Sequence, residues 1–260
     1  MAMSKFAHLH THSHYSLLEA LPKIPDLVKK AKKSGMTALA LTDSGNLYGA
    51  IEFYKECEEQ GIKPIIGVDF YVAIRTRHDK EARIDSQRTR LTLLAENLTG
   101  YHNLLKLVTA SYIEGFYYKP RIDKELLEKY NEGLIAIAKE DKYYKEIFKD
   151  NFFLESSLAI YNVHYLETDD RAALDTVLSI QEHLNRGVFD ENEDMHFRTS
   201  KEALADYKSN TEALANTLKI AERCNLKLEL GKWVFPNLEI PDNQTPEEAF
   251  RKIVFDGIER

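Results

Sequence analysis

Two hydrophobic periods alternate along the first two thirds of the chain. Residues 6–12 (FAHLHTH) change character at every second position, which is the period of an extended strand. Residues 24–35 (IPDLVKKAKKSG) instead space Ile24, Leu27, Val28 and Ala31 for one face of a helix, with Gly35 placed to cap it. The short apolar run TALALTD (37–43) is the next strand and ends in an acid. NLYGAIEFYKECEEQG (46–61) reads as a helix stopped by Gly61, and KPIIGVDFYV (63–72) as a strand with an acid inside it.

A polar loop over 75–90 leads into the strand LTLLAEN (91–97) and the helix YHNLLKLVTASY (101–112). EGLIAIA (132–138), FFLES (152–156) and LAIYNVHYL (158–166) supply three more strands, with a short helix in KEDKYYKEIFKD (139–150). Repeated strand–helix alternation predicts an α/β fold of parallel strands joined by crossover helices. About seven such strands favour a closed barrel over an open sheet.

The last third changes to helices over 170–187, 210–225 and from Pro246 onward, with a short strand LKLEL (226–230) and a proline-bearing extended stretch over 233–246. The final helix carries no stop signal, so the chain is expected to continue beyond it. The boundary is expected near residue 198: a domain over 1–198, then a helical extension over 199–260.

Composition narrows the class. The chain of 260 residues is 43% hydrophobic and 30% charged, with formal net charge −7, which argues against a surface built to track a phosphate backbone. Cys57 and Cys224 lie far apart, form no zinc-type cluster, and suit a reducing cytoplasm. No apolar run reaches the ~18 residues of a membrane span, so a cytoplasmic location without membrane contact is expected.

Candidate chemistry gathers where parallel α/β folds place it, at the carboxyl ends of strands. These positions hold His10 and His12, Asp43, Asp69 and His164, with Glu19 shortly after the first strand. Histidines and carboxylates together suit a divalent ion of the zinc, manganese or iron kind, which activates water and neutralises a phosphate. His8, His10, His12 and His14 alternate, but they span about 20 Å of strand, so only an adjacent pair serves one centre. The residues alone leave open which pair. His78 and His196 lie in charged loops and His102 and His183 on helices, where solvation or packing explains them.

HLHTHSHYSLLEAL (8–21), ALALTDSGNLYGAIEFY (38–54) and KPIIGVDFYV resemble the polymerase-and-histidinol-phosphatase (PHP) family. The likeness continues through 91–137, 162–181 and 212–233, stretches similar to the N-terminal PHP domain of bacterial DNA polymerase III alpha subunits rather than to free-standing phosphatases. It implies a distorted seven-stranded β/α (TIM-like) barrel with a trinuclear metal site at its mouth. Members with a full site act as metal-dependent phosphoesterases or 3′–5′ exonucleases. Others use the domain as a scaffold that stabilises the polymerase and docks the proofreading exonuclease subunit, DNA being reached through the full-length polymerase.

The resemblance assigns the family HxHS to His10–Ser13 and places His8 and His14 outside it. Glu19, Asp43, Asp69 and His164 match further ligand positions. Ser44 and Arg90 stand where ligand histidines are usual, and Asn162-Val163-His164 lacks the acid of the corresponding motif. Two family segments are absent, near 138–140 and 156–158. No catalytic residue and no organic cofactor is assigned. The expectation is therefore a structural and docking module with a degenerate metal site, partly occupied or empty. The alternatives are an active phosphoesterase or exonuclease within the polymerase and, less favoured, a histidinol-phosphatase-like enzyme. Polymerisation is not expected, because the magnesium-binding palm carboxylates would follow residue 260.

Overall fold

The computed structural model describes residues 6–139, 142–183, 194–233, 240 and 244–258. Seven strands form one sheet: β1 (Ala38–Leu41), β2 (Lys63–Ala73), β3 (Arg88–Ala95), β4 (Phe116–Tyr117), β5 (Lys119–Ile122), β6 (Leu134–Ala138) and β7 (Phe152–Leu154). The order is β4-β5-β2-β3-β6-β7, with β1 paired to the first part of β2. The fold is mixed α/β.

The all-parallel arrangement expected from the strand–helix alternation does not hold. β1–β2, β2–β5 and β6–β7 are parallel, but β3 runs antiparallel to both β2 and β6. The cause is the connection: residues 74–87 between β2 and β3 contain no helix, so the chain turns back instead of crossing over. That loop is tied down by Arg121, which is fully buried and donates to the carbonyls of Asp85 (2.8 Å), Asp79 (2.9 Å) and Arg77 (3.1 Å). Arg77 in turn pairs with Asp123 at 3.0 Å.

The first and last strand candidates, 6–12 and 158–166, form isolated bridges instead of regular strands: His8 to Leu39, Thr11 to Val163 and Tyr165 to His196. These extend the sheet beyond β1, yet among the described residues no pairing joins β7 to the segment around Val163. A parallel partner for β7 needs a crossover of about a dozen residues or more. Only residues 155–162 separate Leu154 from Val163, so the described pairings stay open.

Helix α1 (Ile24–Lys33) buries the four residues its spacing singled out, and Gly35 follows it at φ +73. Helix α2 (Ala50–Gln60) ends on Gly61 at φ +70, a left-handed position where a side chain would be strained. Helices α3 (Leu98–Ile113), α4 (Lys124–Lys129), α5 (Lys142–Phe148), α6 (Arg171–His183), α7 (Ser200–Asp206) and α8 (Thr211–Arg223) follow. Leu9, Ala40, Ile65, Leu94 and Ile137 line one core cluster, and Ile220 of α8 packs into it. Each aliphatic side chain buried there contributes about 1.5–3 kcal/mol.

Residues up to Lys227 form one compact unit, so α7 and α8 belong with the sheet. Leu228 onward forms a second unit, whose helix α9 (Pro246–Ile258) buries Ala249. No strand forms over 226–230. Most of the extended stretch expected over 233–246 lies outside the described residues.

Candidate metal centre

Backbone bonds bring the site's segments together beside β2. The amide of His12 donates to the Val163 carbonyl (2.9 Å) and that of Thr42 to the Thr11 carbonyl (2.8 Å). Ser44 bridges to Asp69, so the residues after β1 lie beside the middle of β2. His10, His12 and Asp69 consequently offer ligand atoms all within 4.8 Å of one another. His10 Nε2 is 3.1 Å from His12 Nε2 and 3.4 Å from Asp69 Oδ2.

The hydrogen bonds fix which imidazole nitrogens are bare. His164 Nδ1 lies 2.6 Å from the Glu19 carbonyl, which only accepts, so Nδ1 carries the proton. Ser16 Oγ has one proton and directs it to Asp43 Oδ1 at 2.7 Å. His12 Nδ1, 3.0 Å from the same hydroxyl, is therefore the donor. Nε2 of each ring faces the side-chain Oδ1 of Asn162, at 3.1 Å from His12 and 2.9 Å from His164. The rings stack at 4.2 Å. Burial, reinforced by neighbouring His164, His10 and Arg90, holds His12 neutral well below the ordinary histidine range, and burial takes His164 down to about 4.

The carboxylates divide into two environments. Asp43 is met by neutral donors: Ser13 Oγ (2.8 Å), the Ser13 amide (2.7 Å) and Ser16 Oγ. Burial outweighs these bonds and pushes Asp43 up to about 6. Glu19 and Asp69 are met by cations. Arg90 Nε is 3.0 Å from Asp69 Oδ2, and its Nη2 is 3.6 Å from Glu19 and 3.1 Å from Ser44 Oγ. Lys119 Nζ lies 2.5 Å from Glu19 Oε1, beside the Tyr71 hydroxyl at 2.8 Å. Burial would raise Glu19, but Arg90 and Lys119 bring it down to about 2. Burial would raise Asp69 too, and Arg90 and His10 hold it below the usual aspartate range.

The six candidate residues are thus not one ligand set. His10, His12 and Asp69 converge and fit a single divalent ion, and Asp69 Oδ1 is buried with no hydrogen-bond partner. Glu19 and His164 are within reach of the cluster but already bonded, and Asp43 is turned into the serine pocket. A trinuclear set does not fit, because two fixed cations already neutralise Glu19 and Asp69 and a further ion would sit against Arg90. His8 belongs elsewhere: its Nε2 bonds the Arg198 carbonyl at 2.8 Å and its ring packs on Phe197 and Phe6. Lys119, Tyr71 and Ser16 carried no sequence signal, since lysine, tyrosine and serine are common everywhere.

A module of this kind has relatives. The PHP domain model matches residues 8–189, more than half the chain, and the chain belongs to the PHP domain family. Similar curated proteins are DNA polymerase III alpha subunits. That of Borreliella burgdorferi is 37% identical over 94% of this chain and 25% of its own length. Those of Aquifex aeolicus and Thermus aquaticus are 35% and 33% identical over 98% of this chain, covering 28% and 26% of their lengths. The chain spans about a quarter of the length of these relatives. The Borreliella alignment runs over 296 positions, more than the 260 residues here, so that relative carries residues without a counterpart in this chain. A solved two-domain protein of Bacteroides vulgatus containing a predicted PHP-like metal-dependent phosphoesterase is 12% identical, covering 88% of this chain and 72% of that one at a TM-score of 0.32. That likeness is too weak to place any residue. Among the described residues no helix is long and apolar enough to cross a membrane.

Proposed function

We propose that this chain is the N-terminal PHP domain of a bacterial replicative DNA polymerase III alpha subunit and serves mainly as a structural module. It supports the remainder of that subunit and docks the proofreading exonuclease subunit, in the cytoplasm. DNA is engaged by the full-length polymerase rather than by this acidic domain. The observation that carries the reading is the pairing of Arg90 and Lys119 with Glu19 and Asp69: the acids of the mouth are neutralised by the chain's own cations. Such a mouth keeps its shape without a full complement of metal. At most one zinc, manganese or iron ion is held, on His10, His12 and Asp69.

The open circuit between β7 and Val163 fits the same reading. We place the residues that relatives carry in addition near 138–140 and 156–158, where a crossover would complete a seven-stranded barrel over residues 1–198. Residues 199–260 then form a helical extension whose α7 and α8 pack with the sheet and whose later part leads toward the polymerase core.

The alternative, a metal-dependent phosphoesterase or 3′–5′ exonuclease, is favoured by the convergence of His10, His12 and Asp69. Release of phosphate or nucleotides from a 3′-ended oligonucleotide, with manganese or zinc at neutral pH, separates the two. The structural reading expects no release above the metal-only background. Release that His12→Ala abolishes overturns it.

A further inference from the structure

A cavity of about 630 Å³ lies away from the mouth, where α1 ends and the chain turns into β1. Its walls come from three distant segments: the last turns of α1, Leu166–Glu167 and the start of α7. Two bonds frame it. Ser200 Oγ donates to the Ser34 carbonyl at 2.8 Å, and Lys30 Nζ pairs with Glu167 at 2.5 Å. Lys29, Lys33 and Lys201 also line it, exposed, and among the described residues their ammonium groups make no hydrogen bond or ion pair. Among the described residues Asp26 and Glu167 are its acids, and Glu167 is already taken by Lys30.

Helix electrostatics do not account for this arrangement. Lysines in the last turn of α1 complement its dipole, but Lys29 and Lys33 stand four residues apart, where like charges repel. Lys201 is the second residue of α7, where a cation is disfavoured. Three uncompensated ammonium groups thus face one cavity in a chain of net charge −7.

We propose that this cavity binds a compact polyphosphate, either free or as the tail of a nucleotide, without a metal ion. Ammonium groups recognise phosphate as point charges. The cavity has the size of a small-molecule site. Among the described residues no aromatic ring lines it, so they offer no platform for stacking a base. A long nucleic-acid strand would need a continuous basic track, whereas these cations form a closed group. The proposal is independent of the role given to the mouth.

The test is calorimetric titration of the whole chain with inorganic tripolyphosphate in EDTA at low salt. One equivalent should bind, more weakly as sodium chloride is raised. The double variant Lys33→Glu, Lys201→Glu should weaken binding at least about tenfold with an unchanged thermal melt, because both side chains are exposed. A nucleoside triphosphate should bind about as well as tripolyphosphate. Absence of binding at millimolar tripolyphosphate, or equal binding by the double variant, would overturn the proposal. So would a nucleoside triphosphate that binds where tripolyphosphate does not, or a single-stranded oligonucleotide that binds more tightly than either.

Discussion

Two pockets a few residues apart hold buried carboxylates in opposite ways. Around Asp43 the partners are hydroxyls and a backbone amide, and the acid is pushed up to about 6. Around Glu19 and Asp69 the partners are Arg90 and Lys119, and both acids stay below their ordinary range. Neutral donors satisfy the lone pairs of a buried carboxylate without neutralising its charge; a guanidinium or ammonium does both. The cation-lined half is self-sufficient, and the serine-lined half stores an electrostatic cost.

The comparison breaks most sharply at Arg90. Arg90→Ala leaves Asp69 and Glu19 buried beside each other with Lys119 alone. The expected loss is about 2–3 kcal/mol, less than for a fully enclosed pair because the guanidinium side chain is 34% exposed. Urea unfolding at pH 7 measures it, and a loss under about 0.5 kcal/mol would show that the pairing does not hold the mouth together.

Next in size is pH dependence, which should differ in sign between the halves. Asp43, raised in the folded state, contributes stability that is fully present below its unfolded value near 3.8 and lost as pH rises through about 6. Glu19, depressed in the folded state, contributes stability present above its unfolded value near 4.5 and lost as pH falls toward about 2. Relative to wild type, Asp43→Asn should therefore gain roughly 2–3 kcal/mol between pH 4 and 6. Glu19→Gln should regain about 1 kcal/mol between pH 4.5 and 3.5. Parallel pH profiles for the two variants would contradict the division.

Ser16→Ala should have an effect no larger than these, about 1 kcal/mol. The hydroxyl donates to Asp43 and accepts from the Ser44 amide (3.0 Å) and His12 Nδ1; without it Asp43 Oδ1 keeps the Ser13 amide, and the Ser44 amide loses its partner. Carboxyl NMR should show the Asp43 titration moving further upward in this variant. No movement would mean that Ser16 is not its donor.

Much of this was readable in the chain. Helical spacing found α1, α2, α3 and α8, and strand-end positions picked out His10, His12 and Asp69, which do converge. What was not readable depended on partners distant in sequence. The direction of β3 followed from a helix-free connection that reads only as polar loop. Asn162 showed only as part of a motif that lacks its acid, and its contact with two imidazoles appears once His12 and His164 are stacked. Arg90 was legible as a substitution, but Lys119, a hundred residues from Glu19, was not. The lysine cavity escaped for the same reason, since Lys33 and Lys201 are brought together by the α7 contact with Ser34.

We propose that the chain's own cations fill the mouth, leaving room for no more than one metal ion. Anomalous diffraction at the zinc and manganese edges, from crystals soaked in each ion, tests it most directly. One peak or none is predicted in the mouth, any peak lying between His10, His12 and Asp69. Two or three peaks that also engage Glu19, Asp43 or His164, with Arg90 swung away, would contradict it.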